Sequence, residues 1–169
     1  MAGKRPPLSL KGRALALLAQ REHSVAELSR KLLRYAQAQA ASAVAADDDH
    51  DDDGPHARAA AQVQELIAWL QAHRYLSEER FVESRIHARA ARYGNLRIRQ
   101  ELAQHGVRVP PEFAQTLKES ELQRATEVWR RRFGTPGADA AERARQMRFL
   151  AQRGFSQETI ARVLRQAGG

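Results

Sequence analysis

A six-residue pattern occurs twice in this chain and points to a repeated building block. LAQHGV covers residues 102–107 and LAQRGF covers residues 150–155, so the second copy follows the first after 48 residues. KLLRYA at residues 31–36 is a weaker copy that precedes LAQHGV by roughly 70 residues, or about 50 when an intervening Ala/Asp-rich stretch of roughly 20 residues is left out. This period predicts three tandem repeats.

The apolar residues follow the period of an α-helix through most of the chain. Val63, Leu66, Ile67 and Leu70 are one example, because they recur at intervals of three and four. No stretch alternates apolar and polar residues for long enough to predict a strand. We predict nine helices in three sets of three, and each set needs its neighbours to bury its apolar faces. The expected fold is all-α, a tandem array of three three-helix repeats that is elongated and curved.

Proline and glycine mark the predicted helix boundaries. Pro111 opens a sixth helix that carries Leu117, whereas a separate seventh helix begins near Leu122 and ends at Gly134. The three repeats are predicted to span residues 8–76, 77–120 and 121–167.

An Ala- and Asp-rich segment, residues 38–57, interrupts the first repeat. Six of the seven residues 47–53 are aspartate, and like charges at this density repel each other and stay solvated. The sequence DHDDDG at residues 49–54 matches the opening of an EF-hand calcium loop, but Ala60 stands where that loop requires a glutamate. We therefore predict a disordered acidic insertion that holds no metal.

The chain is strongly basic. It has 28 Lys and Arg against 20 Asp and Glu, a formal net charge of +8, and it carries +14 when the six aspartates of the insertion are set aside. Such a chain is expected to meet a polyanion, either nucleic acid, an anionic membrane surface or an acidic protein. Cysteine is absent, and there is neither a membrane-spanning apolar run nor a signal peptide, so we expect a cytoplasmic protein without a membrane partner.

Catalytic and metal-binding motifs are missing from the sequence. There is no Gly-rich phosphate loop, no GxSxG, no HExxH and no cysteine nucleophile, and the six histidines lack the i,i+4 spacing of helical metal ligands. We therefore expect no enzyme activity, no cofactor and no metal.

Arginines are more informative than any other residue type. Arg85, Arg89 and Arg92 recur at intervals of four and three, which predicts one basic stripe beside an apolar stripe on the same helix. For any single arginine, a solvated helix face is the favoured interpretation. Together, however, one such stripe in each repeat would form an extended positive surface for a filamentous polyanion. The candidates for contact with a partner or with nucleic acid are Arg85, Arg89, Arg92, Arg97, Arg99, Arg130, Arg131, Arg132, Arg145 and Arg148.

Four aromatic residues could either stack on bases or pack in the core. Trp69, Tyr75, Trp129 and Phe133 all lie at helical spacings that face a core. These spacings favour the packing role over base stacking.

Three segments of the chain resemble the RecX family of regulatory proteins. REHSVAEL at residues 21–28 is similar to the first-repeat signature of that family. GNLRIRQELAQHGV at residues 94–107 resembles the second repeat, and RQMRFLAQRGFSQETIARVL at residues 145–164 resembles the third. The segments occur in the family order, whereas the acidic insertion departs from the compact family pattern.

This resemblance implies a bacterial regulator of RecA that is not itself an enzyme. A RecX-like protein is expected to be a monomer that binds the RecA nucleoprotein filament and restrains the ATPase, strand-exchange and co-protease activities of RecA. Weak, sequence-independent DNA binding is also expected. The alternative is a direct DNA-binding protein that acts without RecA and reads duplex grooves with helix-turn-helix pairs, and a scaffold for another acidic protein is a third possibility.

Overall fold

The computed structural model describes residues 8–44 and 54–168 of the chain. These residues form eight α-helices, and no strand occurs among them, so the predicted all-α class is confirmed. Within the same residues, no helix is both long and apolar enough to cross a lipid bilayer. The helices are α1 (Leu10–Leu18), α2 (Val25–Val44), α3 (Gly54–Ala72), α4 (Glu78–Ala90), α5 (Asn95–Gln104), α6 (Pro111–Arg132), α7 (Ala140–Gln152) and α8 (Gln157–Gly168).

The chain divides into two compact units, Met1–Phe81 and Val82–Gly169. In the first unit, α2 packs along α3, and α1 lies against α2. Apolar residues repeated every three or four positions point into this core, as the helical period predicted. Its buried side chains are Ala14, Leu28, Leu32, Ala36, Ala59, Val63, Ile67, Leu70 and Leu76.

In the second unit, α6, α7 and α8 pack on one another around a separate core. The buried indole of Trp129 donates its Nε1–H to Gln146 Oε1 at 2.9 Å, so the polar atom of this large apolar side chain is satisfied inside the protein. The buried members of this core are Ala125, Val128, Trp129, Leu150, Phe155, Ile160 and Val163.

The repeated hexapeptide is a helix ending. At the end of α5, Gly106 has a φ of 75° and the Val107 N–H donates to the Leu102 carbonyl at 3.0 Å. At the end of α7, Gly154 has a φ of 80° and the Phe155 N–H donates to the Leu150 carbonyl at 3.2 Å. Glycine is favoured at this position because a left-handed backbone closes the helix and brings the next amide back to an unpaired carbonyl.

The weaker copy of the pattern does not end a helix. Ala36 stands four residues after Leu32, where the other two copies have glycine, and α2 therefore continues to Val44. Helix also occupies residues 54–57 at the start of α3, so both ends of the segment predicted as an insertion are helical. The remainder of the segment 38–57, including the aspartates on which the predictions of disorder and of an absent calcium site depend, lies outside the described residues.

The predicted sixth and seventh helices form one continuous helix, α6. Residues 118–121 read Lys-Glu-Ser-Glu and contain neither glycine nor proline, so nothing in the local chain ends the helix between Leu117 and Leu122. The described residues therefore contain eight helices where the sequence pattern predicted nine in the whole chain. The repeat boundary predicted after residue 120 lies inside α6.

Candidate nucleic-acid and partner interface

The positive charge of the chain is concentrated in the second unit. Seventeen of the 28 Lys and Arg, but only nine of the 20 Asp and Glu, lie in Val82–Gly169. This unit therefore carries an excess of +8, while the first unit, which includes the aspartates of the acidic segment, has no net charge. All ten arginines predicted as partner contacts belong to the basic unit.

Three of these arginines surround one cavity between α4 and α5. This space of about 210 Å³, here called the α4–α5 cavity, is lined by Arg85, Arg89, Arg97, Gln100, Glu101, Gln104 and His105. Arg89 Nε lies 2.8 Å from Glu101 Oε2, and Arg97 Nε lies 3.4 Å from Glu101 Oε1. One carboxylate thus joins a guanidinium of each helix.

The helical spacing places these residues on facing surfaces. Arg85 and Arg89 are four residues apart on α4, and Arg97 and Glu101 are four residues apart on α5, so each pair lies on one side of its helix. Arg85 Nη2 is 3.3 Å from His105 Nε2. Because a guanidinium can only donate, the imidazole nitrogen is the acceptor in this contact.

Arg92 does not continue the stripe of Arg85 and Arg89, because α4 ends at Ala90. Its side chain is exposed, and its carbonyl accepts a hydrogen bond from Arg153 Nη1 at 3.3 Å. The guanidinium groups of Arg89 and Arg153 each lie 5.6 Å from the centre of the Tyr93 ring. Arg97, and not Arg92, therefore lines the α4–α5 cavity together with Arg85 and Arg89.

The remaining predicted arginines lie elsewhere on the basic unit. Arg99 is exposed on α5 and is not among the residues that line the α4–α5 cavity. Arg145 lines a second cavity of about 150 Å³ beside Phe133 and Gln146, and Arg148 is exposed on α7.

Three consecutive arginines, Arg130, Arg131 and Arg132, end α6 and are all exposed. Positive charge at this position is favourable because the last carbonyls of a helix carry partial negative charge. Arg131 Nη2 lies 3.8 Å from Glu127 Oε2, and the guanidinium of Arg132 lies 5.8 Å from the centre of the Phe133 ring.

Sequence analysis did not distinguish Arg124, which has a structural role. Its guanidinium donates to the carbonyls of Ala90 at 3.1 Å, Tyr93 at 2.7 Å and Leu117 at 3.1 Å, and to Asn95 Oδ1 at 2.6 Å. Burial lowers the pKa of Arg124 from its ordinary value. The side chain closes the turn between α4 and α5 onto α6, and no local sequence signal identifies it because three of these four partners lie about thirty residues away in the chain.

Glu121, also on α6, is the buried acceptor of a second network. It receives hydrogen bonds from the Asn95 backbone N–H at 2.9 Å, the Ser156 hydroxyl at 2.7 Å and the Thr159 hydroxyl at 2.9 Å. This carboxylate therefore ties the start of α5 and the start of α8 to α6. A carboxylate with several donors is the usual form in which an acidic group is tolerated inside a protein.

The turn before α5 makes direct backbone contact with the turn before α8. The Gly94 N–H donates to the Arg153 carbonyl at 2.9 Å, and the Leu96 N–H donates to the Gly154 carbonyl at 3.0 Å. A Cβ atom on Gly94 would lie 2.2 Å from the Gly154 oxygen, and one on Gly154 would lie 2.5 Å from the Arg97 nitrogen. These two glycines therefore set the position of Arg97 at the edge of the α4–α5 cavity.

The four aromatic residues are placed in two ways. Trp129 is buried, and the half-buried Phe133 meets Phe149 edge to face with ring centres 5.3 Å apart, as the packing interpretation predicted. In the first unit, Trp69 and Tyr75 stack at 5.6 Å, and Tyr75 is half exposed.

In the first unit, the buried Glu27 is the centre of an ionic cluster whose cations are partly exposed. It binds Arg21 through both carboxylate oxygens and Lys31 at 3.0 Å. Burial by itself would raise the pKa of Glu27, but hydrogen bonds from Arg21 and Lys31 outweigh that effect and lower the pKa to about 2. Burial lowers the pKa of the neighbouring His23, whose Nε2 lies 3.2 Å from Lys31 Nζ.

No group of three or more His, Asp or Glu side chains in residues 8–44 and 54–168 is arranged to hold a metal ion.

Comparison with known proteins identifies relatives along nearly the whole chain. The domain described as "RecX, second three-helix domain" matches residues 77–108, and "RecX, third three-helix domain" matches residues 119–164. A protein named Regulatory protein RecX from Leptothrix cholodnii is 47% identical, and the match covers 99% of this chain and 94% of that protein. Proteins of the same name from Herbaspirillum seropedicae and Ralstonia nicotianae are 46% and 44% identical, over 96% and 99% of this chain and 94% and 93% of their own lengths.

Proposed function

Because this chain belongs to the RecX family of regulatory proteins, we propose that it binds the filament that RecA forms on DNA and inhibits RecA. The inhibited activities are ATP hydrolysis, strand exchange and the co-protease activity that triggers the SOS response. The protein acts as a cytoplasmic monomer by binding, and it performs no chemistry of its own.

The observation that carries this proposal is the segregation of charge. The unit Val82–Gly169 has the whole excess of +8, contains the whole segment that matches the third family domain, and contains residues 82–108 of the segment that matches the second. A basic surface of this kind suits a nucleoprotein filament, since DNA presents a regular line of phosphates and RecA is bound along it. Direct contact with DNA should be weak and independent of sequence, because charge attraction to phosphates does not read bases.

The test is the single-stranded-DNA-dependent ATPase activity of RecA, titrated with this protein from far below equivalence to a molar excess. Inhibition at substoichiometric amounts means that the protein acts at filament ends or promotes disassembly. Inhibition only near equivalence means that it coats the filament. Either outcome supports the proposal. The control is the intrinsic ATPase activity of RecA without DNA, which should not change.

The competing function is that of a DNA-binding protein that acts without RecA. In that case the ATPase activity of RecA would be unchanged at a molar excess, while the protein still bound DNA alone and preferred one duplex sequence. This pair of results would overturn the RecA proposal. Tight binding to RecA-coated DNA with weak binding to bare DNA would exclude the competing function.

A further inference from the structure

We propose that the α4–α5 cavity is a phosphate site that binds a phosphodiester group of DNA, and that Glu101 sets its affinity. The inference rests on the proposed function and deepens it by naming the DNA backbone as the ligand of this surface. Three guanidinium groups from two helices surround a space of about 210 Å³, which is ample for one phosphate group and its hydration water. Planar guanidinium groups are suited to phosphate oxygens because they donate two parallel hydrogen bonds.

The ion pairs already present leave donors for a phosphate. Glu101 is held through the Nε atoms of Arg89 and Arg97, so these pairs do not use the four η nitrogens of the two guanidinium groups. The side chains of Arg89 and Arg97 are 36% and 51% exposed, which makes them reachable by a polymer that lies on the surface. With three arginines and one glutamate, the formal charge of the cavity is +2 without His105.

The lining favours a backbone phosphate over other ligands. Every residue around the cavity is polar, namely arginine, glutamine, glutamate or histidine. A nucleobase or an apolar peptide anchor would therefore bury little hydrophobic surface there, although such burial drives most base stacking and most protein interfaces. The side-chain amides of Gln100 and Gln104 can also donate hydrogen bonds to a phosphate oxygen.

Glu101 affects the site in two opposing ways. It orients two guanidinium groups, and it also places a negative charge beside the bound phosphate. The orienting ion pairs are partly exposed, and such pairs contribute little. Glutamine keeps one oxygen that can accept from Arg89 or Arg97, so part of the orientation survives while the repulsion is removed. The charge effect is therefore expected to dominate.

The experiment measures the binding of the full chain to a fluorescein-labelled oligothymidylate, without RecA, by anisotropy over a series of salt concentrations. Arg97→Gln should weaken binding about five-fold and reduce the slope of log K against log salt by about 0.7, the value for one single-strand phosphate contact. Arg99→Gln is the matched control, because it removes the same charge from the same helix outside the cavity, and it should weaken binding less than about two-fold. Glu101→Gln should strengthen binding about three-fold. Circular dichroism melting confirms that each variant is folded.

Several outcomes would overturn the proposal. Equal losses for Arg97→Gln and Arg99→Gln would mean that only long-range charge attracts DNA. Weaker binding by a folded Glu101→Gln variant would mean that Glu101 supports binding by orienting the guanidinium groups, and unchanged binding would mean that it serves the fold alone; either result would contradict the proposed effect of its charge. Displacement of the oligonucleotide by millimolar inorganic phosphate at constant ionic strength would assign the cavity to free phosphate. If Arg97→Gln bound the oligonucleotide normally but bound RecA filaments poorly, the ligand would be an acidic surface of RecA. Because RecA is absent from the binding assay, failure here leaves the ATPase test of the proposed function unaffected.

Discussion

Individual arginines and glutamates have different roles in this protein, and the surroundings of each side chain determine its role. Arg124 is buried among backbone carbonyls, Arg97 lies at the rim of a cavity with Glu101, and Arg99 is exposed on the same helix as Arg97. Similarly, Glu27 is buried with cationic partners, whereas Glu65 is an exposed residue of α3. Substitutions of these residues should therefore change stability by different amounts, although the sequence pattern does not distinguish them.

The lowered pKa of Glu27 predicts a loss of stability in acid. Its ordinary value of 4.5 applies to the unfolded chain and about 2 to the folded one, so the ionised cluster stabilises the fold above pH 4.5 and this stabilisation disappears as the pH falls from 4.5 to 2. After allowance for the exposed side of Arg21, the contribution is about 2 kcal/mol. Glu27→Gln should therefore be less stable at pH 7 and should lose less stability between those two pH values.

The measurement is the free energy of unfolding in urea from pH 7 to pH 2.5. His23 adds a loss of the same sign that begins as the pH falls below 6.5, because its lowered pKa favours the neutral imidazole in the folded state. Glu65→Gln controls for the removal of one carboxylate from the first unit. If Glu27→Gln showed the same pH dependence as the native chain, the cluster would contribute no acid-sensitive stability.

At the scale of helices and turns, the second unit depends on close contact between two connections. Backbone N–H groups at the start of α5 donate hydrogen bonds to carbonyls in the turn before α8, and both glycines at the contact lack room for a side chain. In the second copy of the repeated hexapeptide, LAQRGF, the glycine therefore has two roles. Gly154 ends α7, and because it has no side chain it also allows the start of α5 to pack against it.

Gly154 and Gly134 form a matched pair that separates these two functions. Both have a left-handed φ, 80° and 73°, but a Cβ on Gly154 would lie 2.5 Å from the Arg97 nitrogen, whereas one on Gly134 would have the Arg130 oxygen at 3.6 Å as its nearest neighbour. Gly134→Ala should cost about 1 kcal/mol for the backbone conformation alone. Gly154→Ala should cost at least about 3 kcal/mol, because the backbones must also separate.

Urea unfolding followed by circular dichroism compares the two variants. Similar losses of stability would show that the contact between the turns contributes nothing beyond the strain of the backbone. A larger loss for Gly154→Ala, together with weaker oligonucleotide binding, would show that the contact also positions Arg97.

For the whole molecule, the distribution of charge is the dominant feature. The first unit is neutral and the second carries +8, so any polyanion should be attracted mainly to Val82–Gly169. Two basic groups of this unit are clearly separate in the chain. One is the α4–α5 cavity, and the other is the arginine triplet at the end of α6.

The arginine triplet should contribute to DNA affinity through charge. Replacing Arg130, Arg131 and Arg132 with glutamine should reduce the log–log salt slope for single-stranded DNA by about two, if each side chain contacts one phosphate. The same change should also lower stability by about 1 kcal/mol, because it removes positive charge from the C-terminal end of α6. Fluorescence anisotropy at several salt concentrations tests the first effect, and thermal unfolding tests the second. An unchanged slope would remove the triplet from the DNA-binding surface.

The amino-acid sequence was enough to predict the class of the fold, most helix positions, the ends of α5 and α7 at glycine, and membership of a regulatory family. These features depend on short-range periodicity, backbone sterics or residue identity, all of which can be read along the chain. The three-dimensional packing of the helices determines which arginines lie together. It joined Arg97 to Arg85 and Arg89, excluded Arg92 because α4 ends at Ala90, and used Arg124 as an internal support. The grouping of the arginines and the role of Arg124 depend on contacts between residues far apart in the chain, and local patterns carry no information about such contacts. The continuous α6 is different, because the absence of glycine and proline from residues 118–121 is a local feature that agrees with it.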